Sequence, residues 1–170
     1  MKKLLIFCVI FVMAVLVEPI PSQSATKVLV VSPAAMRPLN FTYDIGPWYA
    51  EQHSFYFGAT AVPVSGNAPI YLPFGASVKQ LIVFYTDNSS VSGEEIAVYL
   101  IRHEMETGTS QLMGAVGSYD RAPSPKRRTL KDNSINYKVI DYLYSYSLTV
   151  EFFRGSEHVR FHGAIIVYDE

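Results

Sequence analysis

Alternation between apolar and polar residues in the stretch 143–153 is the feature that most constrains the fold. Its apolar members are Tyr144, Tyr146, Leu148, Val150 and Phe152, and each is separated from the next by a polar residue. Successive side chains of a β-strand point to opposite faces, so this period predicts a strand with one buried face. No part of the mature chain shows the apolar period of an amphipathic helix. The sequence therefore predicts an all-β protein.

The stretch 157–168 alternates in the same way, and it follows the first after a short turn. Its predicted core-facing residues are Val159, Phe161, Gly163, Ile165 and Val167. Between the two stretches lies the sequence Arg-Gly-Ser-Glu, and a glycine at the first position of a two-residue loop is typical of a type II′ hairpin. Pairing Arg154 with Glu157 sets a register in which Phe152 lies opposite Val159. We therefore predict that these two strands form a hairpin.

Further short strands are predicted along the chain, separated by turn-forming residues. They span residues 28–31, 54–62, 70–72, 77–86, 95–104, 110–118 and 135–141. A turn is predicted at 63–69 and an exposed basic loop at 122–128. This spacing is typical of a single antiparallel β-sandwich domain with a jelly-roll-like arrangement. The predicted organisation is a signal peptide at 1–24, an N-terminal strand and arm at 25–53, and the sandwich at 54–170.

The N-terminus has the pattern of a secretory signal peptide. Lys2 and Lys3 precede an unbroken apolar run at 4–17, which is shorter than the roughly 20 residues a membrane-spanning helix needs. We place cleavage after Ser24, and an uncleaved anchor is the alternative. Cys8, the only cysteine, lies in this run, so the mature chain has no disulfide and no thiolate for catalysis or metal binding. The predicted location is secreted or in the cell envelope.

Charge and loop length limit the partners that the mature chain can have. Removing Lys2, Lys3 and Glu18 from the 14 basic and 15 acidic residues leaves a slightly acidic chain, which does not predict a nucleic-acid partner. No further apolar run could span a membrane. The arm at 33–48 is long for a connection within a domain, so a swapped arm is a further hypothesis. The expected partners are further copies of the chain, as a homo-oligomer, or a cell-surface component.

One outward-facing strip carries candidate binding residues. The strip consists of Phe153, His158, Arg160 and His162. It suits an anionic or sugar ligand, and the alternative is an ordinary solvated or interface face. His158 and His162 are about 13 Å apart along a strand, so they cannot both bind one zinc ion.

Trp48 and Tyr49 are the second candidate, because they stand beside a Gly-Pro turn in an aromatic-rich region. Exposed aromatic rings stack on sugars in carbohydrate-binding modules, although they also pack in cores and subunit interfaces. A glycan is therefore the predicted ligand of this platform.

Oxygen-bearing side chains are dense in the loop that follows residue 86. Asp87, Asn88 and Glu94 are the candidate ligands of a structural Ca²⁺ ion, which takes six to eight oxygens. The alternative is a plain polar hairpin loop, since the spacing does not match an EF-hand. No other cofactor is predicted.

The lack of recognisable catalytic motifs in the sequence argues against an enzyme. There is no Gly-x-Ser-x-Gly nucleophile turn, although Ser147 could approach His162 across the predicted hairpin. Neighbouring carboxylates fall on loops or at the chain end, where they are solvated. We therefore predict a non-enzymatic protein that acts by binding or self-assembly. A carbohydrate-binding module is the alternative, and an enzyme that uses His158, Arg160 and His162 is the third hypothesis.

Three stretches resemble a group of small exported bacterial β-sandwich proteins without assigned function. They are residues 32–38, residues 70–78 leading into 81–88, and the ending 160–168. This resemblance implies a jelly-roll-like domain and carries no site residues. The ending, with Phe161, Gly163 and Tyr168, is also similar at the level of fold to trimeric jelly rolls of the tumour-necrosis-factor and complement type, where the last strand lies near the subunit axis.

Overall fold

The structure is a computed structural model that describes residues 24–39, 48–51, 53–59, 62–119 and 121–170. The predicted signal peptide, apart from its last residue, and residues 40–47 of the predicted arm lie outside the described residues. The strands are β1 (Thr26–Val31), β2 (Arg37–Pro38), β3 (Trp48–Glu51), β4 (Ser54–Phe57), β5 (Val64–Ile70), β6 (Ser77–Asp87), β7 (Ile96–Glu104), β8 (Ser110–Gly117), β9 (Ser124–Asp132), β10 (Tyr144–Phe152) and β11 (Val159–Asp169). A 3-10 turn, Pro33–Ala35, follows β1.

The strands form two antiparallel sheets packed face to face, so the prediction of an all-β sandwich is confirmed. The six-stranded sheet has the order β3-β4-β11-β6-β9, and β1 also pairs with β11. The five-stranded sheet has the order β2-β5-β10-β7-β8. Since β1, β2 and β3 pair with strands of the main body, residues 26–51 contribute to the same sandwich wherever the structure describes them. No helix within the described ranges is long and apolar enough to cross a membrane.

The core lies between the sheets and is rich in aromatic rings. Phe55 and Phe57 project inward from β4 and meet Phe152 of β10, with ring centroids 6.0 Å and 5.6 Å from it. The inward residues of β6, β7 and β11 complete the core. Because all three phenylalanines are fully buried, β4 is fixed in place, and its outward residue between them is held at a defined position on the sheet surface.

The predicted hairpin between the last two strands is wrong. β10 pairs with β5 and β7 in one sheet, whereas β11 pairs with β1, β4 and β6 in the other. Gly155 is not among the described glycines with positive φ, which a type II′ turn would require at that position. The segment 153–158 instead crosses from one sheet to the other. Alternation predicted the buried faces of β10 correctly, but it is identical for strands that pair and for strands that face each other across a core.

A β-bulge reverses the predicted alternation in the second half of β11. The pairing register with β6 shifts between Phe161 and Gly163, and Gly163 has a φ of 121° that favours glycine. Ala164 and Ile166 are therefore the buried residues after the bulge, and Ile165 and Val167 face outward. The prediction that these last two face the core was wrong because one extra residue exchanges the faces.

The predictions for residues 63–69 and 135–141 were also wrong. The first segment, predicted as a turn, is strand β5, in which Gly66 is needed because an added Cβ would lie 2.5 Å from the Phe55 ring. The second, predicted as a strand, is a loop with one isolated bridge at Val139. Glycine, proline and asparagine resemble a turn in sequence even where close packing requires a small residue.

Candidate functional site

A row of side chains crosses the outer face of the six-stranded sheet. Cross-strand pairing brings Tyr49 of β3 beside Tyr56 of β4, places Tyr56 next to Arg160 of β11, and places Arg160 opposite Thr86 of β6. Thr86 in turn lies beside the part of β9 that carries Arg127. We call these five residues the cross-strand row. Four spacings between neighbouring strands give it a length of about 19 Å.

The aromatic end of the row is a rigid stack. The Tyr49 and Tyr56 rings are 4.8 Å apart between centroids and inclined by 19°. The Arg160 guanidinium lies over the Tyr56 ring, 4.3 Å from its centroid, and its Nε donates to the Glu157 carbonyl oxygen at 2.8 Å. Tyr56 is consequently buried, while Tyr49 keeps 42% of its surface exposed. The stack therefore holds an exposed phenol ring in one orientation at the edge of the sheet.

An open cleft of about 420 Å³ adjoins this stack. It brings together three residues predicted from sequence, Tyr49, His158 and Glu94. Its lining also contains Tyr56, Gly58, Ala59, Ser156 and Glu157. The cleft thus combines an aromatic surface with carboxylate, imidazole and hydroxyl groups. Such a combination can contact both the apolar face and the hydroxyl groups of a polyhydroxylated ligand.

His162 lies beside the row, but its ring is already held by protein groups. Nδ1 donates to the His53 carbonyl oxygen at 2.7 Å, so Nε2 of the neutral ring accepts from the Thr86 hydroxyl at 2.7 Å. Burial lowers the pKa of His162, and the positive charges of Arg127 and Arg160 lower it further, against the raising effect of the His53 hydrogen bond. His162 therefore supports the row as a neutral ring, and it has no free nitrogen for a ligand.

Two of the residues predicted as site residues lie elsewhere. Trp48 is adjacent to Tyr49 in β3 and points to the opposite face, where its ring lies 6.3 Å from that of Phe55. The two cannot form one platform. Phe153 follows β10 of the other sheet, and its ring packs against Tyr119 at 5.6 Å. The predicted strip thus loses Phe153 and keeps His158, Arg160 and His162.

The basic segment predicted as a loop at 122–128 is largely strand β9, at the edge of the six-stranded sheet. Its cations are Lys126, Arg127, Arg128 and Lys131. Alternation places Arg127, Thr129 and Lys131 on the outer face, whereas Arg128 pairs with the buried Tyr85. Arg127 was not predicted as a site residue, because Pro123 and Pro125 make this segment resemble a loop in sequence. Proline is tolerated in an edge strand, which gives the physical reason.

Two of the three predicted calcium ligands, Asp87 and Glu94, line one small polar pocket. Asp87 is buried, and its carboxylate accepts hydrogen bonds from the Ser118 hydroxyl at 2.8 Å and the Ser89 amide at 3.4 Å. Glu94 lines the same pocket, and its carboxylate accepts a hydrogen bond from the Ser89 hydroxyl at 2.6 Å. Asn88 is exposed and does not line this pocket. Within the ranges that the structure describes, no three His, Cys, Asp or Glu side chains form a group that could hold a metal ion.

Ser147 and His162 are on different sheets and do not approach each other. Ser147 is buried, and its hydroxyl is instead 2.8 Å from Nε2 of His103, whose Nδ1 is 2.8 Å from the Ser110 hydroxyl. This arrangement links β10, β7 and β8 on the outer face of the five-stranded sheet.

A second cleft of about 420 Å³ opens at the start of β10, which the sequence did not predict. Its exposed rings include Tyr71, Phe74 and Tyr142, and the last two are 5.7 Å apart. The strand β10 runs between the two clefts, so they lie at opposite ends of the sandwich, roughly 27 Å apart by the rise of a strand.

Comparison with known proteins supports the fold and leaves the family open. No protein-family model and no curated protein sequence matches the chain. Among solved structures, a xylan-binding module, CBM15, superposes with a TM-score of 0.56 at 11% identity, covering 84% of this chain and 97% of that one. A cyclase from Fischerella sp. TAU gives a TM-score of 0.47 at 10% identity, covering 87% and 91%. The module TmCBM61 in complex with β-1,4-galactotriose gives 0.35 at 12% identity, covering 86% of each chain. The two packed sheets and the superposition on the xylan-binding module show that the chain has a β-sandwich fold.

Proposed function

We propose that this protein is an exported, non-catalytic protein that binds carbohydrate at the cross-strand row and the adjoining cleft. The observation that carries the proposal is the Tyr49–Tyr56 stack, which presents an exposed ring beside a polar cleft of about 420 Å³. Sugars are recognised by stacking of their apolar faces on aromatic rings and by hydrogen bonds from their hydroxyls to planar polar side chains. The fold shared with the xylan-binding module supports this class of ligand. The lysines and apolar run at the N-terminus support export.

The test is a binding screen of the purified protein on a glycan array, followed by titration of the best ligand. Tyr49→Ala is expected to weaken binding at least tenfold, about 1.4 kcal/mol, because the stacking ring is removed. Tyr49→Phe keeps the ring and should retain most of the affinity. Tyr71→Ala is the matched control, because Tyr71 is a more exposed tyrosine in the cleft at the other end. No glycan binding by the folded protein, or equal loss in both alanine variants, would refute the proposal.

Self-assembly is a second candidate function. It is favoured by an apolar area that β1 and the second half of β11 form on the outer face of the six-stranded sheet. Val28 and Val30 are 61% and 67% exposed, and they pair with the outward-facing Val167 and Ile165. This area lies at the edge of β1 that pairs with no other described strand, where a second copy could add its own β1 in antiparallel orientation. Light scattering at micromolar concentration should then show a dimer that Val30→Lys converts to a monomer. A monomeric wild-type protein would exclude this function and leave the glycan proposal unaffected.

A further inference from the structure

We infer that the carbohydrate is an acidic polysaccharide, whose carboxylate or sulfate groups contact the outer face of β9. The inference rests on the proposed function, and it concerns the end of the cross-strand row opposite the tyrosine stack. There Arg127 is exposed, and Lys131 lies four residues further along the same face. Alternate residues of a strand are about 7 Å apart, so these cations are spaced along a track of about 14 Å.

The cations of β9 have no carboxylate partners in the part of the chain that the structure describes. The ion pairs found there are Lys27 with Glu170 and Lys79 with Asp169, both away from β9. Charge on this strand is therefore concentrated, although the whole chain has a formal net charge of -1. Local positive charge in a chain of this balance attracts an anionic partner to the face that carries the charge.

The positive field extends from β9 across the sheet to β11. Arg127 and Arg160 lie on either side of Thr86. The positive charges of both lower the pKa of the nearby His162, beyond the effect of burial. The neutral His162 ring adds no third positive charge between them. The exposed Arg127 and Lys131, about 14 Å apart along the outer face of β9, can each contact one anionic group of a repeating polymer. The tyrosine stack then contacts a sugar ring further along the same row.

The observations favour a polysaccharide over other polyanions. The row contains one exposed ring, on Tyr49, whereas proteins that bind single-stranded nucleic acids stack successive bases on several rings. The basic residues lie on an edge strand, and no large apolar side chain on β9 is exposed beside them to insert into a lipid surface. Lys and Arg on an edge strand also prevent sheet aggregation, and a matched variant separates that role from ligand binding.

The experiment compares charged and neutral polymers of the same backbone. Affinity electrophoresis or titration would use polygalacturonate against its methyl ester, and dextran sulfate against dextran, which separates carboxylate from sulfate recognition. We expect at least tenfold tighter binding to one charged member of a pair at 50 mM NaCl, and progressive weakening as salt is raised. Arg127→Gln should lower this affinity at least fivefold. Lys138→Gln, which removes one exposed charge outside the row, should change it less than twofold.

The outcomes separate this inference from the proposed function. Binding of neutral glycans with no preference for their charged partners would overturn the inference and leave glycan binding intact. Equal effects of Arg127→Gln and Lys138→Gln would also overturn it, because the attraction would then be unspecific. Equally tight, Arg127-dependent binding of single-stranded RNA or of anionic vesicles would assign the surface to a different polyanion. Absence of all glycan binding would refute both proposals. Urea unfolding of Arg127→Gln confirms that the variant is folded.

Discussion

Replacing Tyr85 by phenylalanine should stabilise the protein, although it removes a polar group from the core. Tyr85 is fully buried on the inward face of β6, and its hydroxyl has no hydrogen-bond partner among the residues that the structure describes. A buried polar group without a partner costs about 1–3 kcal/mol, and the tyrosine ring itself is retained as phenylalanine. The void left by one oxygen atom offsets part of the gain. We therefore expect the free energy of unfolding to rise by about 1 kcal/mol.

Tyr146→Phe is the matched control, and it should have the opposite sign. The Tyr146 hydroxyl accepts from the Asp141 amide at 2.7 Å and donates to the Asp141 carbonyl oxygen at 3.2 Å. Its removal leaves the amide without this partner, so we expect a loss of about 1–2 kcal/mol.

Urea unfolding followed by circular dichroism and by fluorescence of Trp48, the only tryptophan, measures both changes. The stabilised variant should also melt about 2–4 °C higher, provided that the denaturant slope is unchanged. A loss of more than about 1 kcal/mol in Tyr85→Phe would refute the reasoning, because it would mean that the hydroxyl has a partner such as an internal water.

Three further changes test the packing and the electrostatics. Gly66→Ala should destabilise the fold by about 1–3 kcal/mol in urea unfolding, because its Cβ would overlap the Phe55 ring; an unchanged midpoint would mean that the ring can move. Ser118→Ala should cost about 1–3 kcal/mol, since it removes the hydroxyl that donates to the buried Asp87, and Ser118→Thr should recover part of this loss. Burial holds the pKa of His162 below its usual value near 6.5, so the unfolded chain binds the proton more tightly, and stability should fall as the pH drops below about 6.5. The urea midpoint should therefore decrease less between pH 7.5 and 5.5 in His162→Gln than in the wild type, and equal decreases would contradict this account.

The sequence contained the buried faces of single strands but not the identity of their partners. The alternation in β10 correctly predicted that Tyr146, Leu148, Val150 and Phe152 are buried. It could not distinguish a hairpin from two strands in opposite sheets, because both arrangements bury the same residues. The type II′ signal at Gly155 is local, and the crossing between the sheets is decided by contacts far away in sequence.

The site was predicted only in part, because its residues come from several strands whose order the sequence does not reveal. His158, Arg160 and His162 were recognised because they alternate within one strand, and Tyr49 was recognised by its aromatic character. Their association with Tyr56 and Arg127 depends on the strand order, which no local pattern contains. Trp48 was predicted as part of the platform because it is adjacent to Tyr49, yet adjacency in a strand places two side chains on opposite faces.

The bulge at Gly163 divides β11 into two parts, and the alternation of inward and outward residues shifts by one residue between them. Before it, the solvent side carries Arg160 and His162; after it, the same side carries Ile165 and Val167. Deleting the extra residue at this point would restore regular alternation, and Ala164 and Ile166 would still face inward opposite the same residues of β6. The polar and apolar halves of this sheet face are therefore specified by two separate stretches of sequence that meet at Gly163.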